Sequence, residues 1–99
     1  MDMHKPPFME ALEKGAPELI PEATRNVEFL NADTALPAKV KLLMAAMVDA
    51  IKNHPDGVKA LVGMARQKGA SEEEIKDTLR VVMAMDGMPG FVTATAAFQ

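Results

Sequence analysis

Few side chains in this 99-residue sequence could carry out chemistry. There are two histidines, His4 and His54, a single serine, Ser71, and no cysteine or tyrosine. Without cysteine the chain can have no disulfide, no thiolate nucleophile and no thiolate zinc site. It also lacks a paired-histidine zinc motif and a glycine-rich phosphate loop. We therefore predict no metal and no cofactor, which leaves acid–base groups as the candidates.

The two candidate catalytic residues are His54 and Asp86. His54 lies at the end of a predicted helix, where the helix dipole favours an imidazolium that could exchange protons with a substrate. Its alternative role is that of a half-exposed turn residue. Asp86 falls on the apolar stripe of a later predicted helix and could be a partly buried general acid or base. Alternatively, it caps the turn at residues 87–90. His4 lies in a segment with little to hold it and is assigned no role.

The elements that position the candidate residues are predicted to be helices, because apolar side chains recur along the chain at helical spacing and almost never alternate as in a strand. Proline opens several segments, and glycine or a Pro-containing turn ends them. Ser71 and Glu74 form a capping box, in which each side chain binds a backbone amide of the first turn. The spacing predicts an all-α fold with helical segments over residues 8–14, 17–30, 37–53, 58–68, 71–86 and 89–98.

Two of the predicted helices are apolar on more than one side. In the helix over 37–53, one face is formed by Val40, Leu43, Met47 and Ile51. Leu42 lies on a different face of the same helix. Residues 81–85 are apolar around more than a full turn. A single small domain can hardly bury such helices on every side, so we predict a homo-oligomer. The nine methionines are interpreted as adaptable packing, with a methionine-lined ligand site as the alternative.

Charge and hydropathy exclude several classes of partner. The net charge is −3, too mild and of the wrong sign for a nucleic-acid-binding protein. Residues 1–35 carry seven acids and three bases, residues 36–70 two acids and six bases, and residues 71–99 five acids and two bases. No stretch approaches the ~20 apolar residues that span a bilayer. The first residues also lack the pattern of a signal peptide. We expect a cytoplasmic protein with no nucleic-acid or membrane partner.

The order of several motifs resembles the carboxymuconolactone decarboxylase family, which includes the alkylhydroperoxidase D branch. The motifs are Leu36-Pro37-Ala38-Lys39, then Gly69-Ala70-Ser71-Glu72-Glu73-Glu74-Ile75, and finally Gly87-Met88-Pro89 before a helix of small residues. The resemblance implies a helical domain over residues 17–99 with a central helical hairpin, preceded by an N-terminal segment over 1–16. It also implies assembly as a homotrimer or homohexamer.

The reactive groups of the peroxidase branch are missing from the matching positions. That branch uses a glutamate, a Cys-x-x-Cys pair and a histidine as a thiol proton relay. Here the glutamate position holds Leu42, the cysteine positions hold His54 and Gly57, and the histidine position holds Leu61. Peroxide reduction needs a thiolate and a base to generate it, so thiol peroxidase activity is not expected.

Two functions from different classes fit the sequence. The first is a non-catalytic member of the family that forms an oligomer or binds a small apolar molecule. The second is a cysteine-independent decarboxylase or lactone-handling enzyme acting on a small carboxylated substrate. That enzyme would use His54 and Asp86, with a lysine such as Lys52 or Lys59 holding the substrate carboxylate. The replacement of both hairpin-helix site positions by leucine favours the first function.

Overall fold

The computed structural model describes residues 7–99, all of whose regular structure is helical, as predicted. His4 lies outside the described residues. Prolines occupy the first turns of several helices. A backbone amide in the first turn has no acceptor within the helix, so proline, which lacks that amide, costs no hydrogen bond there. The helices are α1 (Pro7–Gly15), a 3-10 turn (Pro17–Leu19), α2 (Ile20–Leu30), α3 (Ala38–Ile51), α4 (Pro55–Gln67), α5 (Glu72–Asp86), α6 (Met88–Ala94) and a final 3-10 turn (Thr95–Phe98).

Helices α3 and α4 form the central hairpin, and the turn between them is fixed by its backbone. Asn53 adopts a left-handed conformation (φ 64°) directly after α3. Its amide donates to the Ala50 carbonyl (3.1 Å), and the His54 amide donates to the Asp49 carbonyl (2.8 Å). This pair of hydrogen bonds satisfies the last carbonyls of α3 and reverses the chain. Pro55 then begins α4, so His54 is held between two helices.

The core lies where α3, α4, α5 and the C-terminal segment meet. Val58 and Val62 of α4 are buried there at helical spacing, and so are Ile75, Leu79 and Val82 of α5. The capping box is also present: the Glu74 amide donates to Ser71 Oγ (3.0 Å) and the Ser71 amide to Glu74 Oε1 (2.8 Å). The core cluster comprises Leu42, Leu43, Ala46, Ala50, Val58, Val62, Ala65, Ala70, Ile75, Leu79, Val82, Ala94, Ala96 and Ala97.

The two apolar sides of α3 have different environments. Leu42 and Ala46 are buried in the core cluster, whereas Val40 and Met47 are half-buried and Ile51 is exposed. The face through Val40, Met47 and Ile51 is therefore only partly covered by the chain itself. The helix has more apolar surface than a single copy buries.

Helices α1 and α2 form an N-terminal arm, residues 7–30, that contains no buried residue. Lys41 of α3 attaches the arm, because its buried ammonium donates to the Phe29 carbonyl (2.6 Å) and to Thr34 Oγ1 (2.8 Å). The same ammonium lies 3.7 Å from the centre of the Phe29 ring. Among residues 7–99 no helix is long and apolar enough to cross a membrane. The cytoplasmic location expected from the sequence stays a prediction.

Candidate functional site

His54 lies at the α3–α4 turn with a carboxylate beside it. Its Nδ1 is 3.7 Å from Asp49 Oδ1, too long for a hydrogen bond but close enough for an ion pair when the imidazole is protonated. The His54 side chain is 62% exposed, whereas that of Asp49 is 28% exposed. The Asp49 carboxylate also lies against the α-carbon of Gly57 in the first turn of α4. The turn therefore brings together an imidazole and an aspartate that the sequence reading did not pair.

Asp86 is the last residue of α5 and is exposed. Its carboxylate lies against the α-carbon of Gly90 but makes no hydrogen bond or ion pair within the described part of the chain. The expected burial is not found, because the last turn of α5 extends beyond the core. Met85, one residue earlier, is 75% exposed. The alternative, a carboxylate that caps α6, is not found either, since no side chain caps that helix.

His54 and Asp86 are not brought together. Over residues 7–99 no hydrogen bond or ion pair joins them, and neither lines either of the two cavities described below. Lys52 and Lys59, the lysines considered for substrate binding, are exposed and line neither cavity. A catalytic role for His54 and Asp86 stays a prediction.

The positions that carry the thiol relay in the peroxidase branch are part of the framework here. Leu42 is 0% exposed and Leu61 packs half-buried against the core cluster. Gly57 allows the close approach of the Asp49 carboxylate, since a Cβ at this position would clash with it. Of the four positions, only His54 presents a reactive group to solvent.

The α3–α5 pocket, which the sequence reading did not locate, is a cavity of about 330 Å³ between those two helices. Its walls are largely apolar, and the side chains of four polar residues also line it. Apolar molecules are the ligands that suit such walls, because few polar atoms face the space. The lining residues are Lys39, Val40, Leu43, Met44, Met47, Glu74, Asp77, Thr78 and Val81.

The polar groups of this pocket are already engaged. Lys39 Nζ donates to Glu74 Oε2 (2.9 Å), and Thr78 Oγ1 donates to the Glu74 carbonyl (2.9 Å). Asp77 pairs with Arg80. The backbone amide of Ser71 lowers the pKa of Glu74 below its usual value, and Lys39 lowers it further. The charged side chains that line the pocket are therefore already paired, and the rest of its lining is mainly apolar.

The α2–α3 groove is a second cavity, of about 360 Å³, on the other side of Met44. It is almost wholly apolar, although the Lys41 side chain forms part of its wall. Because Met44 borders both cavities, one continuous apolar surface runs from α2 across α3 to α5. The groove is lined by Phe29, Leu30, Leu36, Lys41, Met44, Ala45 and Val48.

The described structure thus defines an all-helical domain built on a central helical hairpin, with an apolar pocket beside the hairpin. The chain belongs to the carboxymuconolactone decarboxylase family, which matches residues 18–99. This confirms the resemblance seen in the sequence motifs, and the matching chain is a cysteine-free one. No curated protein and no solved structure matches the sequence. The match begins just before α2, so α1 lies outside it.

Proposed function

We propose that this protein is a non-catalytic member of its family that binds a small apolar molecule in the α3–α5 pocket. The observation that carries the proposal is the pocket itself: about 330 Å³ of space with walls formed by Val40, Leu43, Met44, Met47 and Val81. This volume falls in the range of small-molecule sites, which are mostly apolar with a few polar groups. Methionine side chains suit such a site, since they adapt to ligands of different shape.

The state of the polar groups supports binding rather than catalysis. A general acid or base must be able to reach the substrate proton. At this pocket the carboxylates of Glu74 and Asp77 are paired with cations, and the Thr78 hydroxyl donates to a backbone carbonyl. Binding would therefore be driven by burial of apolar ligand surface, at roughly 25 cal/mol per Å².

Binding of an uncharged solvatochromic dye tests this proposal. The chain has no tryptophan or tyrosine, so the dye signal is free of protein fluorescence. Val81→Phe adds bulk to the pocket wall, and Val92→Phe places the same change on an exposed residue of α6 outside the pocket. We expect Val81→Phe to weaken dye binding at least about tenfold, and Val92→Phe to leave it unchanged. Equal binding by the two variants, or no binding by the wild type, would refute the proposal.

A second candidate, a cysteine-independent decarboxylase or lactone-handling enzyme, is favoured by the His54–Asp49 pair. An imidazolium beside a carboxylate could deliver the proton that replaces a departing carboxyl group on carbon. Lys52 or Lys59 could hold a remaining substrate carboxylate. Release of CO₂ from small carboxylated lactones would support this function if the turnover rate changes with pH in the wild type and this pH dependence is lost in His54→Ala. Absence of turnover, together with dye binding that is lost in Val81→Phe, would support the first.

A further inference from the structure

Lys41 is the one charged side chain that is buried in the described part of the chain, at 5% exposure. Its ammonium donates to the Phe29 carbonyl (2.6 Å) and to Thr34 Oγ1 (2.8 Å). An ammonium has three donors, so the third is left without an oxygen acceptor among residues 7–99. Lys41 also forms no ion pair with those residues, whereas Lys39 of the same helix is paired with Glu74.

The positive charge of Lys41 is therefore stabilised but not neutralised. A buried charge is normally paired with an opposite charge, because its removal from water is costly. The partners of this ammonium are a carbonyl at the negative end of α2, a hydroxyl, and the Phe29 ring, whose centre is 3.7 Å from Nζ. All three are neutral groups, so the site still favours the approach of an anion.

Lys41 lies at one end of the α2–α3 groove along α3. The α3 residues that line the groove with it include Ala45 and Val48, four and seven positions later, so the three share one face of the helix over roughly 10 Å. The Phe29 ring, which lies over the ammonium, also lines the groove and is itself 56% exposed. Rotation of so exposed a ring breaks few contacts and opens a path from the groove to the ammonium. A single cation at the end of an apolar groove suits a ligand with one negative charge and an apolar tail.

We infer that the α2–α3 groove binds a linear alkyl carboxylate. The carboxylate accepts a hydrogen bond from Lys41 Nζ, and the tail lies along α3 against Ala45 and Val48. One carboxylate matches the charge of one ammonium, whereas a phosphate dianion would leave an unpaired charge in apolar surroundings. This site is distinct from the α3–α5 pocket, although Met44 borders both cavities. It takes an anion, whereas the ligand proposed for the pocket is uncharged, so neither proposal rests on the other.

Calorimetric titration with octanoate and octanol, below the concentrations at which they aggregate, tests the charge of the ligand. The two compounds share a tail and differ in the carboxylate. Because hydrogen bonds to charged groups are the stronger ones, we expect the wild type to bind octanoate at least about tenfold more tightly than octanol. Lys41→Met should abolish this preference, whereas Lys68→Met, which removes an exposed lysine far along α4 from the groove lining, should keep it. No binding of octanoate, or equal affinity of the wild type for both compounds, would overturn the inference.

A second set of variants locates the tail and leaves Lys41 in place, so it decides the matter even if Lys41→Met does not fold. Val48→Asn puts an amide on the groove wall, and Val92→Asn makes the same change on α6 outside it; both positions are exposed. We expect Val48→Asn to weaken octanoate binding at least about threefold, and Val92→Asn to leave it unchanged.

The same titration separates the groove from the α3–α5 pocket. Val81→Phe alters only the pocket wall, so octanoate binding should persist in this variant while dye binding is lost. Loss of octanoate binding in Val81→Phe but not in Val48→Asn would place the carboxylate in the pocket and overturn the inference. Dye binding is measured separately, so either proposal can fail without the other.

Discussion

Replacement of Leu42 tests whether a position that is reactive in the peroxidase branch has become part of the core. The Leu42 side chain is 0% exposed and belongs to the core cluster. Leu42→Ala removes buried methyl groups and leaves a cavity, a change that costs about 2.7–5 kcal/mol in comparable cores. A domain of this size has a total stability of about 5–15 kcal/mol, so the loss would be a large part of it. At 4–8 °C for each kcal/mol, a loss of about 3 kcal/mol lowers Tm by roughly 12–24 °C.

The assay is urea unfolding followed by circular dichroism, at a single protein concentration because self-association would add to the stability. Leu36→Ala is the control, since Leu36 is exposed and makes no core contact; we expect it to change stability by less than about 1 kcal/mol. Leu42→Glu restores the acidic group of the peroxidase branch, and we expect it to be less stable than Leu42→Ala, because its carboxylate would be buried without a partner. If Leu42→Glu is as stable as the wild type, the position is still a tolerant polar site and our reasoning fails.

Three other features lead to predictions. Asn53→Ala should destabilise the fold by roughly 1–2 kcal/mol, because only glycine and asparagine readily adopt its left-handed backbone; Asn53→Gly should cost less in the same urea titration. The pKa of Glu74 is lowered by the Ser71 amide and by Lys39, so the ionised form stabilises the folded state. That stabilisation is present above the unfolded pKa and is lost as pH falls through the folded value. The decline in Tm below about pH 4.3 should therefore be shallower in Glu74→Gln. Lys41→Met removes the hydrogen bonds to the Phe29 carbonyl in the last turn of α2 and to Thr34 in the loop that follows, and should reduce hydrogen-exchange protection in α2 about tenfold while α4 stays protected.

The helices could be predicted because their signals are local. Ser71 and Glu74 are three residues apart and bind each other's backbone amides, so the start of α5 depends on no distant contact. Likewise, the α3–α4 break follows from the residues around Pro55. The buried stripe on α4 was recognisable since Val58, Val62 and Ala65 recur at helical spacing.

The candidate sites were harder to predict because they depend on how the elements meet. Asp49 is five residues before His54 and faces it only because Asn53 reverses the chain. The α3–α5 pocket depends on the separation of two helices whose contact residues lie more than 30 positions apart. Asp86 was placed on the α5 stripe from the helical period alone, and periodicity does not reveal where a helix extends beyond the core. An acidic residue in the last turn of α3 was the one signal that could have indicated Asp49.

The use of lysine at position 41 has a consequence for how the chain tolerates cleavage. With the arm in place, the Lys41 ammonium binds the Phe29 carbonyl; with the arm gone, the same group can be hydrated by water. A leucine at this position would expose fresh apolar surface whenever the arm came away. Since the arm has no fully buried residue and only Leu30 of it packs, half-buried, against the core, a protease cut within residues 31–37 should leave a folded fragment from α3 to the C-terminus. Lysine thus makes the arm a removable element rather than a part on which the fold depends.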